Sequence, residues 1–395
     1  MKKIVLKDIT LSNRTFKRLD ILLHSDGSLV LLPTLFSIYT YNRSLSLVMR
    51  DVRNEILSQD VYRQTEINEQ QIAFGTCVAY VARIFELAKY CDNLKEAHLD
   101  MNNNKFMNLY LNEVLGKRVK SVTTLELAKR ALTSYRLFLS TLRIGDIPSL
   151  TLNREVLANL NSSKIVHSAS DYVSREERSL IMQACRNERD RLIIRCGYQL
   201  GLRTSENRAL CLHDQKIKCV TKPGLLSLFK QLDSSQQETF VYTLNGIYTK
   251  YKKSRDIYIP RTLLETFRSY YENERKQFIE RHQVDDSIWL FIRYDPAGAG
   301  QQISERHATN IFNQALCDSN LENSSLSYHK LRHTFATEYY ASLIQKESGL
   351  GYSEATALFL VAKRLGHSKS GTTERYIRLI EDMSIIEGKL TFPLK

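Results

Sequence analysis

The sequence predicts a mainly α-helical protein with a small β-sheet, built as a helical module followed by a larger α+β module. Three observations predict it. Only 15 Gly and 6 Pro occur in 395 residues, well under the usual shares of roughly 7% and 5%, so long helices outnumber tight turns. Apolar residues recur at three- and four-residue steps over long stretches of both halves. Between the halves, about residues 148–172, a polar run (Pro148, Asn153, Asn159, Asn161-Ser162-Ser163, Ser168-Ala169-Ser170) breaks that periodicity and reads as a linker.

Taken in order, residues 1–60 form an N-terminal segment. Ile21-Leu22-Leu23 and Leu29-Val30-Leu31-Leu32 flank Ser25-Asp26-Gly27-Ser28, and Asp-Gly between apolar runs is a hairpin signal. A packing ribbon and an accessory DNA-binding arm are both open readings. Residues 61–168 are the first helical module. Phe74, Cys77, Val78, Val81, Ile84, Phe85 and Ala88 make one apolar helix face. Thr123-x-x-Glu126 reads as a capping box opening a helix with Ala128, Ala131, Leu132, Tyr135, Phe138 and Leu142 inside and Gly145 and Pro148 as its stop. Eight basic residues (Lys105, Lys117, Arg118, Lys120, Lys129, Arg130, Arg136 and Arg143) face only Glu113 and Glu126 over this stretch, whereas 51–100 is net acidic. A charge run is commonly a solvated face; a localised basic side on a helical module is also the form that grips duplex phosphates. Residues 172–395 are the second module, opened by the capping box Ser174-x-x-Glu177, with a β-hairpin expected around Phe240–Pro260.

Charge and cysteine usage narrow the partners. There are 56 Lys+Arg against 43 Asp+Glu, a formal net charge of +13, which permits a nucleic-acid or anionic-membrane partner. The excess is shared, with 23 basic against 16 acidic side chains up to residue 170 and 33 against 27 beyond it. The seven Cys include no C-x-x-C pair, which suits reduced thiols. Cys211 and His213 lack a second pair to complete a zinc site, so no metal and no cofactor are expected. Leu29–Tyr39 is far shorter than the ~20 residues a membrane span needs, and Met1–Lys7 is basic with no apolar run of signal-peptide type behind it. The expectation is a soluble cytoplasmic protein, nucleoid-associated and free of membrane.

Four segments of the second module carry chemistry. They are Gly201-Leu202-Arg203-Thr204-Ser205-Glu206; Lys250-Tyr251-Lys252-Lys253-Ser254-Arg255 leading to Ile257-Tyr258-Ile259-Pro260; His329-Lys330-Leu331-Arg332-His333-Thr334-Phe335; and Leu365-Gly366-His367 with Tyr376 nine residues after the histidine. Singly each has a bland reading: a capping arginine, a solvated basic hairpin, a chance His-x-x-Arg on one helix side, one packed tyrosine among 21. Together and in order they resemble the tyrosine recombinase (phage integrase) family. Its signature is a Gly-Leu-Arg-x-Ser-Glu turn, a lysine hairpin, His-x-Leu-Arg-His-Thr-Phe-Ala, and Leu-Gly-His followed by the nucleophilic Tyr. The resemblance covers roughly residues 172–380; the module before it fits the family's core-binding domain by general character.

The resemblance implies an α+β catalytic domain of tyrosine-recombinase type preceded by an α-helical core-binding domain. It implies a site-specific recombinase that cleaves and rejoins double-stranded DNA through a 3′-phosphotyrosine and a Holliday junction, as a homo-tetramer on DNA, without metal or ATP. By resemblance Arg203 and Arg332 clamp the phosphate, Tyr376 is the nucleophile, Lys250 the general acid, His329 an acid/base partner and His367 a hydrogen-bond donor. Glu206 orients the Arg203 region, and His333 is structural. Lys252 is the alternative lysine, favoured by counting back from Pro260. Relative to compact members the spacing is longer, with extra length expected in a Ser- and Gln-rich loop at Gln215–Tyr248 and in Ser342–Ala357. The alternatives are relaxation of type IB topoisomerase kind and a non-catalytic DNA-binding protein of the same fold.

Overall fold

The computed structural model describes residues 1–11, 14–54, 62–96, 102–162, 172–249, 252–344 and 351–366. The chain divides into two compact units, Met1–Ile165 and Val166–Lys395.

In the first unit, β1 (Lys2–Leu11) pairs antiparallel with β2 (Arg14–Leu23), from Lys2↔Leu23 to Leu11↔Arg14. The Asp-Gly turn forms, with the Asp26 carboxylate accepting from the Ser28 amide at 2.9 Å. It does not join the two strands expected on either side of it. Only a single bridge, Leu23↔Leu29, follows, and α1 begins at Leu31 (Leu31–Arg43). Pro33 explains this: it has no N–H for a ladder but is tolerated in a helix's first turn. Ile21–Leu23 pair instead with the basic N-terminal strand.

A second hairpin follows, β3 (Leu45–Asn54) with β4 (Tyr62–Gln71), in register from Leu45↔Gln71 to Asn54↔Tyr62. The boundary expected at residue 60/61 therefore runs through a hairpin, and periodic helix starts only at α2 (Phe74–Asn93). Helix α1 is built into this unit, since its Phe36 packs edge-on against Tyr135 at 5.2 Å and Phe138 at 5.6 Å.

Three helical stretches run in succession: α3 (Asn104–Leu109), a π-turn at Tyr110–Leu115 and α4 (Gly116–Arg118). Next come α5 (Val122–Thr141) and α6 (Arg154–Ser162). The cap of α5 is Ser121, whose Oγ accepts from the Thr124 amide at 3.2 Å, so Thr123 lies inside the first turn and is not the cap. Leu125, Ala128, Ala131, Leu132 and Tyr135 are fully buried; Leu142, expected among them, is past the helix end and exposed.

Asn104, Asn108 and Asn112 stand four apart on the helical stretch. Their side-chain oxygens accept from the amides of Ser149, Thr151 and Asn153 at 2.8–2.9 Å, while Nδ2 of Asn108 and Asn112 donate to the Ser149 and Thr151 carbonyls. An extended segment is thus held by helix side chains as a neighbouring strand would hold it.

The second unit opens with α7 (Arg175–Ala184). Its capping box is complete, with Ser174 Oγ accepting from the Glu177 amide and the Glu177 carboxylate from the Ser174 amide. Then follow α8 (Glu188–Gln199), a 3-10 turn at Thr204–Ala209, the short hairpin β5 (Gln215–Ile217)/β6 (Val220–Lys222) and α9 (Leu225–Ser234). The expected Ser/Gln loop thus holds ordered elements. Leu225, Leu228, Phe229 and Leu232 repeat at helical spacing and bury α9 in the unit's main core. Strand β7 (Thr239–Leu244) pairs with β8 (Arg255–Pro260), inside the stretch where a hairpin was expected.

The remaining helices are α10 (Arg261–Tyr270), continuing through a π-turn at Tyr271–Arg275 into α11 (Lys276–His282), then α12 (His307–Asp318), α13 (Tyr328–Ile344) and α14 (Glu354–Leu365). The architecture is mainly α with small antiparallel hairpins, as the sequence predicts.

Candidate functional site

The site is built where three segments of the second unit, the turn at 201–206, the start of β8 and α13, meet at one carboxylate. Gly201, at φ +64°, turns the chain out of α8. A Cβ there would lie 2.5 Å from Phe335, so only glycine allows both the left-handed turn and the approach to α13. The turn delivers Arg203 to the start of the 3-10 segment. There its amide donates to Glu206 Oε2 at 2.9 Å and its Nη1 to Oε1 at 2.7 Å.

Glu206 is fully buried and carries two further guanidinium partners. Arg255 Nη2 donates to Oε2 at 2.7 Å, and Arg332 Nη1 lies 3.6 Å from the same oxygen. Burial alone would raise the carboxyl's pKa; Arg255, Arg332 and Arg203 outweigh it and hold it down at about 2. Glu206 is ionised throughout the neutral range and orients three cations at once.

The rotation of α13 is fixed by Tyr328, buried, whose hydroxyl donates to the Ile193 carbonyl at 2.9 Å and accepts from Asn207 at 2.8 Å. Arg332, one turn on, follows it inward. Its guanidinium donates to the Gly201 carbonyl and, at 2.6 Å, to that of Leu365. His329 instead faces outward, edge-on to His333 with ring centroids 4.7 Å apart. His329 and Arg332 thus differ in burial, the first exposed and the second 1% exposed, while their three-residue spacing keeps them on one side of the helix.

Of the lysine candidates, Lys252 is exposed at φ +53° in the turn that precedes β8; Lys250 lies outside the described residues, as do His367 and Tyr376. A cleft of about 520 Å³ opens beside this turn, lined by Arg203, Lys253, Arg255, Tyr258, Arg364 and Gly366 among others. Arg364 lies over the Tyr258 ring at 4.1 Å and the Tyr339 ring at 4.9 Å, and burial lowers its pKa. Sequence reasoning assigned no role to Arg255 or Arg364. The available signal is that Arg255 ends a Lys-x-x-Lys-Ser-Arg run at the first residue of a strand, and Arg364 directly precedes Leu365-Gly366-His367. Among the described residues no three His, Cys, Asp or Glu side chains stand together as a metal site requires.

Residues 171–382, more than half of the chain, match the sequence profile of the phage integrase family. The chain belongs to that family, the tyrosine recombinases. Within the phage integrase match lie all four motif segments; the first unit lies wholly before it. Curated relatives include transposase A from transposon Tn554 of Staphylococcus aureus strains Mu50 and N315, each 27% identical over 200 residues. That stretch is 50% of this chain and 46% of the relative, so the chain spans about half the length of the curated relatives it matches. Among solved structures, it is similar to the XerH site-specific recombinase bound to difH substrate (TM-score 0.48, 17% identity, 79% of this chain and 80% of that one). It is also similar to a lambda integrase dimer bound to a COC′ core site (TM-score 0.46, 15% identity, 82% and 76%).

The first unit of this phage integrase family chain carries the basic residues singled out for DNA. Lys105, Lys117, Arg118, Lys120, Arg130 and Arg143 are exposed and Lys129 half-buried. Arg136 is not on that surface. It is 1% exposed, donating to Asn104 Oδ1 and to the Asp146 carbonyl at 3.1 Å, because it falls on the Leu125–Leu132–Leu139 stripe of α5. Lys117 pairs with Glu113 at 2.9 Å and Arg118 with Glu86 at 2.9 Å. Among the described residues no helix is long and apolar enough to cross a membrane.

Proposed function

We propose that this tyrosine recombinase is a site-specific DNA recombinase that cuts and rejoins double-stranded DNA through a covalent 3′-phosphotyrosine and a Holliday junction. One observation carries the reading: a single buried carboxylate, Glu206, gathers Arg203 and Arg332 from segments 129 positions apart, beside a cleft lined by further cations. Permanently charged, planar donors stabilise negative charge on the non-bridging oxygens of a phosphodiester undergoing in-line displacement.

In this reading the Tyr376 Oη attacks phosphorus and the bond to the 5′-oxygen breaks, leaving a phosphotyrosine and a 5′-hydroxyl. Lys250 supplies the proton that the leaving 5′-oxygen takes up, with Lys252 the alternative. His329 accepts the tyrosine's proton, and His367 donates to the scissile phosphate. Arg332 reaches the phosphate by exchanging a backbone carbonyl for a phosphate oxygen. A second strand's 5′-hydroxyl then reverses the step, so the phosphotyrosine conserves the bond energy and neither ATP nor a metal is required. Exchange between two duplexes uses a homo-tetramer on DNA, and the likeness to a transposon-encoded transposase points to movement of a mobile element.

The test is a nicked suicide substrate built on the chain's own crossover site, recovered by footprinting DNA flanking its gene. The wild-type protein should trap a covalent adduct, with or without EDTA, and Tyr376→Phe should trap none. An adduct formed by Tyr376→Phe removes the assigned nucleophile, and loss of cleavage with EDTA removes the metal-free mechanism. Relaxation of supercoiled DNA lacking the site would favour topoisomerase activity instead.

A further inference from the structure

We propose that Arg255 is a positioning residue that locks the lysine-bearing turn and the segment entering His367 to one another through Glu206. Its guanidinium is a strut with two ends. Nη2 donates to Glu206 at 2.7 Å and Nη1 to the Arg364 carbonyl at 2.7 Å, while the buried Nε has no hydrogen-bond partner among the described residues. The two outer bonds set the orientation, at the expense of the third donor.

The carbonyl held by Arg255 is one of a pair. Arg332 takes the next one, that of Leu365. The last carbonyls of a helix have no partner within it and sit at its negative end, so α14 is clamped there by two cations that share one counter-ion. Gly366 completes the fit. At φ +66° it ends α14, and a Cβ on it would lie 2.7 Å from Arg255 Cδ, so glycine lets the arginine pass on the way to the helix end. The next residue in the chain is His367.

At its other end Arg255 begins β8, opposite Leu244, and closes the turn that holds the candidate lysines. That turn is braced onto the strand by the Gly246 amide donating to Ser254 Oγ at 3.0 Å and Thr249 Oγ1 donating to the Lys253 carbonyl at 2.9 Å. One side chain thus connects the segment expected to protonate the leaving group with the segment expected to bring the nucleophile. The link is geometric and independent of the chemistry; its catalytic consequence rests on the recombinase reading. Arg255 acts through its neighbours and is assigned no contact with DNA.

Arg255→Lys tests this, because an ammonium keeps the charge but cannot span both acceptors. In hydrogen exchange on the full chain, amides of 246–254 and of 364–366 should both exchange faster than in wild type, with 240–243 of β7 unchanged. A change in only one of the two segments, or in neither, overturns the proposal. In single-turnover cleavage at saturating DNA, the variant should lose about 10–100-fold, the scale of a small misplacement of reacting groups, with DNA affinity within about twofold. On a 5′-bridging phosphorothiolate, whose sulfur leaves without protonation, the loss should shrink at least several-fold. An equal loss on both substrates marks general destabilisation and also overturns the proposal. Should Arg255→Lys fail to fold, Arg255→Gln, which lowers the charge excess around Glu206, carries the same readouts. If wild-type protein forms no covalent adduct, the recombinase reading falls while the exchange measurement still decides the link.

Discussion

Glu206 answers three guanidinium groups with one negative charge, leaving a local excess of two positive charges. In the proposed reaction that excess faces a phosphorus centre whose oxygens gain charge as the nucleophile arrives, so the carboxylate holds the arginines together without neutralising them. Its folded-state pKa of about 2 lies below the ordinary glutamate value, so its stabilisation is fully present above about pH 4.5 and is lost as the pH falls toward 2. The difference corresponds to about 3 kcal/mol. Urea unfolding should show stability falling over that window in wild type and a flatter profile in Glu206→Gln. At neutral pH the same variant should lose about 3–5 kcal/mol, since its arginines remain buried without a counter-ion. That Arg203, Glu206 and Arg332 belong together was legible because each sits in a compact local motif. Arg255 and Arg364 were not: what they do depends on β8 meeting the end of α14, a contact across 109 positions that no local pattern encodes.

Individual elements show the same division between local and non-local signals. The capping box of α7 was readable because both halves of it lie within four residues. Strand β4, Tyr62-Arg-Gln-Thr-Glu-Ile-Asn-Glu-Gln-Gln71, was not, since it carries almost no apolar alternation and owes its conformation to the ladder with β3. Helix α9 was hidden by its Ser/Gln-rich flanks, although Leu225, Leu228, Phe229 and Leu232 keep helical spacing. The turn after α8 gives a sharp prediction. Gly201→Ala must adopt φ +64° and push a methyl to 2.5 Å from Phe335, which should cost about 2–4 kcal/mol from left-handed strain and overpacking. The Gly201 carbonyl is also an Arg332 acceptor, so covalent-adduct formation should fall even where urea titration shows the variant still folded.

For the whole molecule, the +13 charge becomes an interface only where side chains reach solvent. Replacing Lys105, Arg130 or Arg143 with Gln should weaken DNA binding and reduce the slope of log K against log salt by about 0.9 for each phosphate left unneutralised. Arg136→Met should leave that slope unchanged and alter the stability of the first unit, the opposite pattern, although both were read from one charge run. Filter binding from 50 to 200 mM salt separates the two. The mainly α architecture and the placement of the chemical motifs in the second unit followed from composition, periodicity and motif order. The hairpins of the first unit did not, because Pro33 and the polar β4 obscure where strands end and helices begin.

The asparagine ladder of the first unit has a consequence for how the path toward the second unit tolerates change. Four residues of helix rise about 6 Å and two residues of extended chain about 6.6 Å, so Asn104, Asn108 and Asn112 keep step with alternate residues of 149–153. Every rung grips main chain, so this stretch is indifferent to the identity of side chains 149, 151 and 153 and sensitive to their phase. Ser149→Ala and Thr151→Val should be nearly silent in thermal unfolding, whereas Thr151→Pro, or one residue inserted after Leu150, should unzip the rungs beyond it. The ladder works as a ruler laid along the outgoing chain, fixing its count of residues and leaving its composition free.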